Sequence, residues 1–339
     1  MKKFLSVLGR IFGFILTLLG DLCNSIADAF EKKKGFNANF GKESDISSRF
    51  NIGFLISVHR RLTRRKSFEN VLLSGPIGSG KTTRILLKNL FSLKNCSLIV
   101  NDPSGELFQL SSGYINPFFG IQTINYSDST VSSGYNILSR IKKPNDVNKI
   151  AHVLVASSLD KGGNSDPFWS LQSKNILQIF IRLVLHQPQE YQNMANVLHV
   201  LNNFAANPKK VDAWIARTMD NKLILSFKSL IVTPEKTLQN IIASAKSALQ
   251  LFDDPEIAKT TAYDSIDFDM LRQKPTVIFL LNSVSDQKYV STLNGIFFEQ
   301  LYGHLLQRIP DKKELDLFNH IRRSEQPIYS ITGIGDGEL

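Results

Sequence analysis

Eight consecutive residues, Gly75-Pro76-Ile77-Gly78-Ser79-Gly80-Lys81-Thr82, bring three kinds of chemistry together. The glycines let successive backbone N–H groups turn inward, Lys81 supplies a positive charge, and the Thr82 hydroxyl supplies an oxygen ligand for a hard cation. The spacing G-x-x-x-x-G-K-[ST] is the Walker A pattern. In that pattern the backbone cradles phosphates, the lysine neutralises the β/γ-phosphates and the hydroxyl holds Mg²⁺. The contact set predicted for ATP is therefore Gly75 through Thr82 plus Thr83, with Lys81 as the catalytic cation and Thr82 on Mg²⁺. The alternative is a glycine turn without a ligand.

The pattern needs a strand before it and a helix after it. Asn70-Val71-Leu72-Leu73 reads as a short buried strand, and Thr83-Arg84-Ile85-Leu86-Leu87 continues as a helix whose positive end faces the phosphates. A second strand, Ser97 to Asn101, ends in Asp102-Pro103-Ser104-Gly105-Glu106. Carboxyl ends of strands face the ligand crevice in open α/β sheets, so Asp102 and Glu106 are candidates for the phosphate or metal side of the site. Asp102 also fits the N-cap of a helix, with Pro103 at its first position.

From Asn145 to Asp264 no alternating strand pattern appears. Asp166 and Pro167 open a helix that ends before Pro188, a second begins near Pro234, and Asp254-Pro255 opens a third. This stretch reads as all-α. The six histidines (59, 152, 186, 199, 304 and 320) form no close helical pair, so no zinc site is expected. Two cysteines, Cys23 and Cys96, exclude a disulfide framework.

The chain has 339 residues, 42% apolar and 21% charged, which excludes a disordered chain or a coiled-coil rod. Its net charge is +10, and residues 1–66 carry thirteen Lys/Arg against five Asp/Glu, most of that excess. Arg60, Arg61, Arg64, Arg65 and Lys66 place five cations in seven residues just before the first strand. They are candidates for phosphate backbones, of DNA or of lipid; a solvated basic hairpin is the alternative. Phe4 to Leu22 is apolar with helical spacing, but Arg10 and Asp21 interrupt it. Three readings stay open there: a membrane-associated helix, a cleaved signal peptide, and a helix packed on the body.

Several motifs occur in a fixed order: the Asn70–Thr83 run, Asp102-Pro103-Ser104-Gly105-Glu106-Leu107, Gly134-Tyr135-Asn136-Ile137-Leu138, and Asp166-Pro167-Phe168-Trp169. This set resembles the type IV secretion coupling proteins, the TraG-like conjugative DNA-transfer ATPases. Members place a Walker A loop first, then D-P-K-G-E-L, a Y-N-P-L-type element, and D-P-F-W in an inserted helical domain. The resemblance runs from about Gly53 to Leu301. Ser104 departs from the usual lysine, and Ile137 stands where proline is common.

The resemblance implies an α/β fold: a RecA-like P-loop NTPase sheet domain with an inserted all-α domain and an N-terminal membrane-associated helix. The domain boundaries that follow are a membrane-associated segment over 1–34, a basic linker over 35–66, a nucleotide-binding domain over 67–144 and 265–339, and the insertion over 145–264. Implied partners are single-stranded DNA or a relaxosome-type DNA–protein complex, secretion channel proteins, and further copies in a homo-hexamer at the cytoplasmic face of the bacterial inner membrane.

A P-loop ATPase also needs a Walker B acid at the end of another strand. Pro275 to Leu281 reads as the preceding strand, and Gln326 to Thr332 falls where Walker B is expected, with Gly333 and Ile334 at the acidic positions. The nucleotide-binding domain is thus read as incomplete at its carboxyl end, through truncation or by nature. Two other functions stay open: a nucleotide-gated binding or scaffold module without hydrolysis, and another P-loop DNA motor.

Overall fold

In a computed structural model, the chain is described over residues 46–334 except 49, 51–52, 58, 70, 77, 160–166, 284–285, 312 and 323–327. The amino-terminal stretch read as membrane-associated lies outside the described residues, as do Ile77 and Asp166. No described helix is long and apolar enough to cross a membrane.

Cys-Ser-Leu-Ile-Val-Asn is the sequence of a strand covered on both faces, and all six residues of Cys96–Asn101 are buried. Numbered along the chain, this strand is β4. Before it come the short pair β1 (Ser47–Ser48) and β2 (Arg61–Leu62), then β3 (Val71–Ser74). After it come β5 (Gly120–Ile124), β6 (Thr276–Leu280), β7 (Asp316–Arg322) and β8 (Ile328–Ile334). The main sheet has the order β3-β8-β7-β4-β6-β5. Strands β7, β4, β6 and β5 run parallel, and β8 is antiparallel to both β7 and β3.

Alternation along β4 and β6 divides their side chains between two layers. Leu98, Val100, Val277 and Phe279 pack with Leu86, Leu90, Leu107 and Ile115 on one face. Those partners come from two helical stretches. Thr82–Leu86 is a π-helical turn that continues as α2 (Leu87–Ser92), and α3 spans Glu106–Ile115. The short α1 covers Arg64–Ser67.

The other face carries Ile99, Ile278, Leu280 and Leu317, which belong to a second, larger core. Its partners are α11 (Gln287–Leu305) and the helices lying between β5 and β6 in the chain. These are α4 (Pro144–Leu159), α5 (Pro167–Leu185), α6 (Met194–Ala206), α7 (Pro208–Arg217), α8 (Asn221–Ile231), α9 (Glu235–Leu249) and α10 (Pro255–Thr260). The expected helices at 167, 235 and 255 are present, and Asp254 caps α10 by accepting the Glu256 and Ile257 N–H groups. Four further helices were not distinguished by periodicity. The core of the helical run is continuous with one face of the sheet.

The sequence reading missed the short β1 and β2 and the edge strand β5, and two further strands bear on the site. Asp316–Arg322 was not read as a strand, yet it forms the parallel neighbour of β4, with Cys96 opposite Asp316 and Val100 opposite His320. Ile328–Ile334 is a strand, but it runs antiparallel beside β3, with Ile328 opposite Ser74 and Ile331 opposite Val71. Its carboxyl end therefore points away from the end of β3. Gly333 and Ile334 stand at the opposite end of the strands from the glycine loop, and they are not at the Walker B position.

Candidate functional site

The loop leaves β3 at Ser74 and delivers the chain into the helical turn at Thr82. Gly78 and Gly80 have φ of +80° and +81°, the left-handed region open to glycine. They turn the backbone twice within three residues, and Ser79 N–H donates to Pro76 O at 3.3 Å. The loop is thus a tight coil ending at the positive pole of a helix, which is a general anion site.

Lys81 reaches back over this coil. Its Nζ donates to the carbonyl of Gly75, to Pro76 O at 2.8 Å and to Ser79 Oγ at 3.4 Å. The ammonium thus ties the start of the loop, Gly75 and Pro76, to Ser79. Thr82 is half-buried at the helix start, and the exposed Thr83 donates its hydroxyl to Gly80 O at 3.4 Å. The donor set fits a polyphosphate: two left-handed glycines, a lysine folded over the loop, and a helix N-terminus.

Asp102 and Glu106 lie elsewhere. They follow β4, three places along the sheet from β3, so roughly 14 Å separates the two strands at ordinary strand spacing. Asp102 is 1% exposed. Its Oδ2 accepts the Phe108 N–H at 2.9 Å, and its Oδ1 accepts the Ser104 hydroxyl at 3.3 Å. The helix starts three residues later than the reading of Asp102 as N-cap and Pro103 as first helical residue. Gly105, at φ +68°, occupies the N-cap position itself, and Asp102 reaches the first turn from three residues upstream. Glu106, the first helical residue, is exposed.

The basic residues 60–66 sit at the other end of the sheet. Arg64 Nε and Nη2 grip Asp316, the first residue of β7, at 2.9 and 2.8 Å. Its guanidinium also lies 5.8 Å from the Phe68 ring, which stacks on Phe318. Lys66 pairs with Glu69 at 2.9 Å, and Arg61 donates to Gly53 O at 3.2 Å. Arg65 is exposed. Part of the cluster thus fastens α1 and its hairpin to the sheet. The structure does not bring these cations to the glycine loop.

A second anchor of that hairpin was not read from the sequence. Asn89 on α2 is fully buried and accepts the Leu55 N–H at 2.7 Å. It donates to Leu55 O and Ile85 O, both at 2.9 Å. The helix that starts at the glycine loop therefore also holds the segment carrying the cations. Gly53 lets the hairpin close on α1: a Cβ there would lie 2.1 Å from Ser67 Oγ and 2.5 Å from Leu62 O.

A model of the type IV secretory system conjugative DNA transfer family matches residues 24–318. The chain belongs to that family. The resemblance drawn from the ordered motifs is borne out. Two conjugal transfer proteins TraG from Escherichia coli are 21% and 20% identical to this family member over 267 residues. Each alignment covers 73% of this chain and 41% of the relative. The chain thus spans well under half the length of these curated relatives.

Among solved structures, the bacterial conjugative coupling protein TrwBdeltaN70 is similar in fold. Its trigonal form in complex with sulphate aligns with a TM-score of 0.55 and 14% identity, over 83% of this chain and 66% of that one. An unbound monoclinic form gives 0.50 and 16%, over 72% and 52%. The fold is the RecA-like α/β NTPase fold.

Proposed function

We propose that this family member is an ATP-binding coupling protein. It recruits single-stranded DNA or a relaxosome-type DNA–protein complex to a type IV secretion channel, as a homo-hexamer at the cytoplasmic face of the bacterial inner membrane. The observation that carries the proposal is the coil at Gly78 and Gly80 with Lys81 folded over it at the start of a helix. Backbone N–H groups of the 75–83 loop donate to the phosphates, Lys81 neutralises them, and the Thr82 hydroxyl takes one position on Mg²⁺. Bound Mg²⁺ would offset phosphate charge there. The run 145–264 serves as the inserted helical domain, and residues 1–34 supply the membrane attachment.

One observation favours the reading without hydrolysis. The strand that neighbours β4 toward the glycine loop is β7, and its carboxyl end is Ile321-Arg322. Among the described residues no carboxylate follows it; the next acidic residue in sequence, Glu325, lies outside the described residues. A loop that binds nucleotide without an acid to orient water acts as a gate rather than a motor.

The test combines DNA binding with turnover on the full chain in detergent. Binding of single-stranded DNA with little base preference is expected, because phosphate contacts carry no sequence information. Affinity should fall as salt rises, by about 0.7 log units per log unit of salt for each phosphate neutralised. Phosphate release should stay well below about 1 s⁻¹, the low end of ordinary turnover. Absence of affinity for both ATP and DNA would sink the proposal. Release at ordinary rates would sink the gate reading and show that a carboxylate is supplied.

A further inference from the structure

Arg84 is the first residue beyond the 75–83 loop, and the Walker A spacing asks nothing of it. Its side chain lies across the loop. A Cβ built on Gly80 would meet Arg84 Cδ at 3.0 Å, Nε at 3.1 Å and Cγ at 3.3 Å. The Arg84 N–H also closes the first helical turn, donating to Gly80 O at 2.7 Å. The arginine side chain therefore lies against the loop glycine, where a Cβ would make it give by a few tenths of an ångström.

The charge placement is unusual for a helix. Acidic side chains stabilise an amino-terminal turn and cations oppose its dipole, by about 0.3–1 kcal/mol each. This first turn contains no acidic residue, and Lys81 and Arg84 both stand in it. Among the described residues no carboxylate pairs with Arg84, although the chain supplies ion pairs to Arg64, Arg140 and Arg308. The turn itself, Thr82–Leu86, is π-helical, a wider turn that often marks functional positions.

We propose that Arg84 is a second cationic ligand of the polyphosphate, standing beside Lys81; this rests on the nucleotide-binding reading above. Lys81 holds the start of the loop at Gly75 and Pro76, and Arg84 lies against its end at Gly80. A guanidinium presents a planar fork that matches two phosphate oxygens, which an ammonium cannot do. An anion held between the two cations also removes the unfavourable charge at the helix start.

The experiment is calorimetric titration of the full chain with Mg-ATP, Mg-GTP and inorganic tripolyphosphate. Wild type is compared with Arg84→Gln, Arg84→Lys and Lys81→Ala. Gln keeps the packing over Gly80 and removes only the charge. Because Arg84 is exposed, the thermal midpoints of its variants should match wild type and show that folding is intact. Arg84→Gln should weaken all three ligands by about tenfold or more, the range of a charge-assisted hydrogen bond. Arg84→Lys should recover part of that loss. Unchanged affinity in Arg84→Gln, with loss in Lys81→Ala, would overturn the role of Arg84 and leave the nucleotide site standing. Loss for ATP and GTP but not for tripolyphosphate would also overturn it, assigning the guanidinium to the nucleoside. Failure of wild type to bind any of the three would remove the underlying site and the proposal together.

Discussion

At Asp102 the carboxylate serves the backbone, and its position along the sheet separates it from the 75–83 loop. The Phe108 N–H and the Ser104 hydroxyl both donate to it. Asp102→Ala should therefore cost about 1 kcal/mol of stability, the usual worth of a helix cap. Urea denaturation would measure that loss, and Mg-ATP affinity should be unchanged. A tenfold loss of affinity at constant stability would return Asp102 to the site. At this scale the glycine loop was legible because its chemistry is contiguous: glycines, Lys81 and Thr82 are neighbours in sequence as in space. Arg84 and Asn89 were not legible. Their roles depend on side chains reaching Gly80 and Leu55, which no local spacing encodes.

Among the elements, strands rich in β-branched and aliphatic residues declared themselves, as with Cys96–Asn101 and Thr276–Leu280. Asp316–Arg322 did not, because Asp316, Asn319 and His320 break up its apolar pattern. The direction of Ile328–Ile334 is set by its partners rather than by its own residues, so placing Gly333 and Ile334 at a catalytic edge from order alone fails. The hairpin carrying the basic residues shows how elements are joined. Asn89 satisfies both backbone groups of Leu55, and replacing it with Leu leaves them buried without that partner. Asn89→Leu should cost about 2–4 kcal/mol, given roughly 1–3 kcal/mol for each buried group left unsatisfied. A lowered denaturation midpoint is the expected reading. A midpoint equal to wild type would show that the hairpin is held by other means.

For the whole molecule, the decisive feature is that the helical run and the sheet share a core. Ile99, Ile278, Leu280 and Leu317 of the sheet pack into the same apolar cluster as Phe180, Phe204 and Leu249 of the helices. Sequence reading separated these regions by pattern, helical against alternating, and pattern does not report which faces meet. Shared burial predicts cooperative unfolding. Both tryptophans, Trp169 and Trp214, lie on the helical run, so their fluorescence reports that region alone. Its thermal transition should coincide with loss of amide protection in β4 and β6, and an earlier melt of the helices would contradict a common core. The central claim is that the 75–83 loop binds nucleotide through Lys81. The most direct measurement is calorimetric titration of Mg-ATP into wild type and Lys81→Ala. Saturable binding by wild type, weakened at least about tenfold by Lys81→Ala, is the predicted result. Equal affinity in the two proteins, or no binding by wild type, would contradict it.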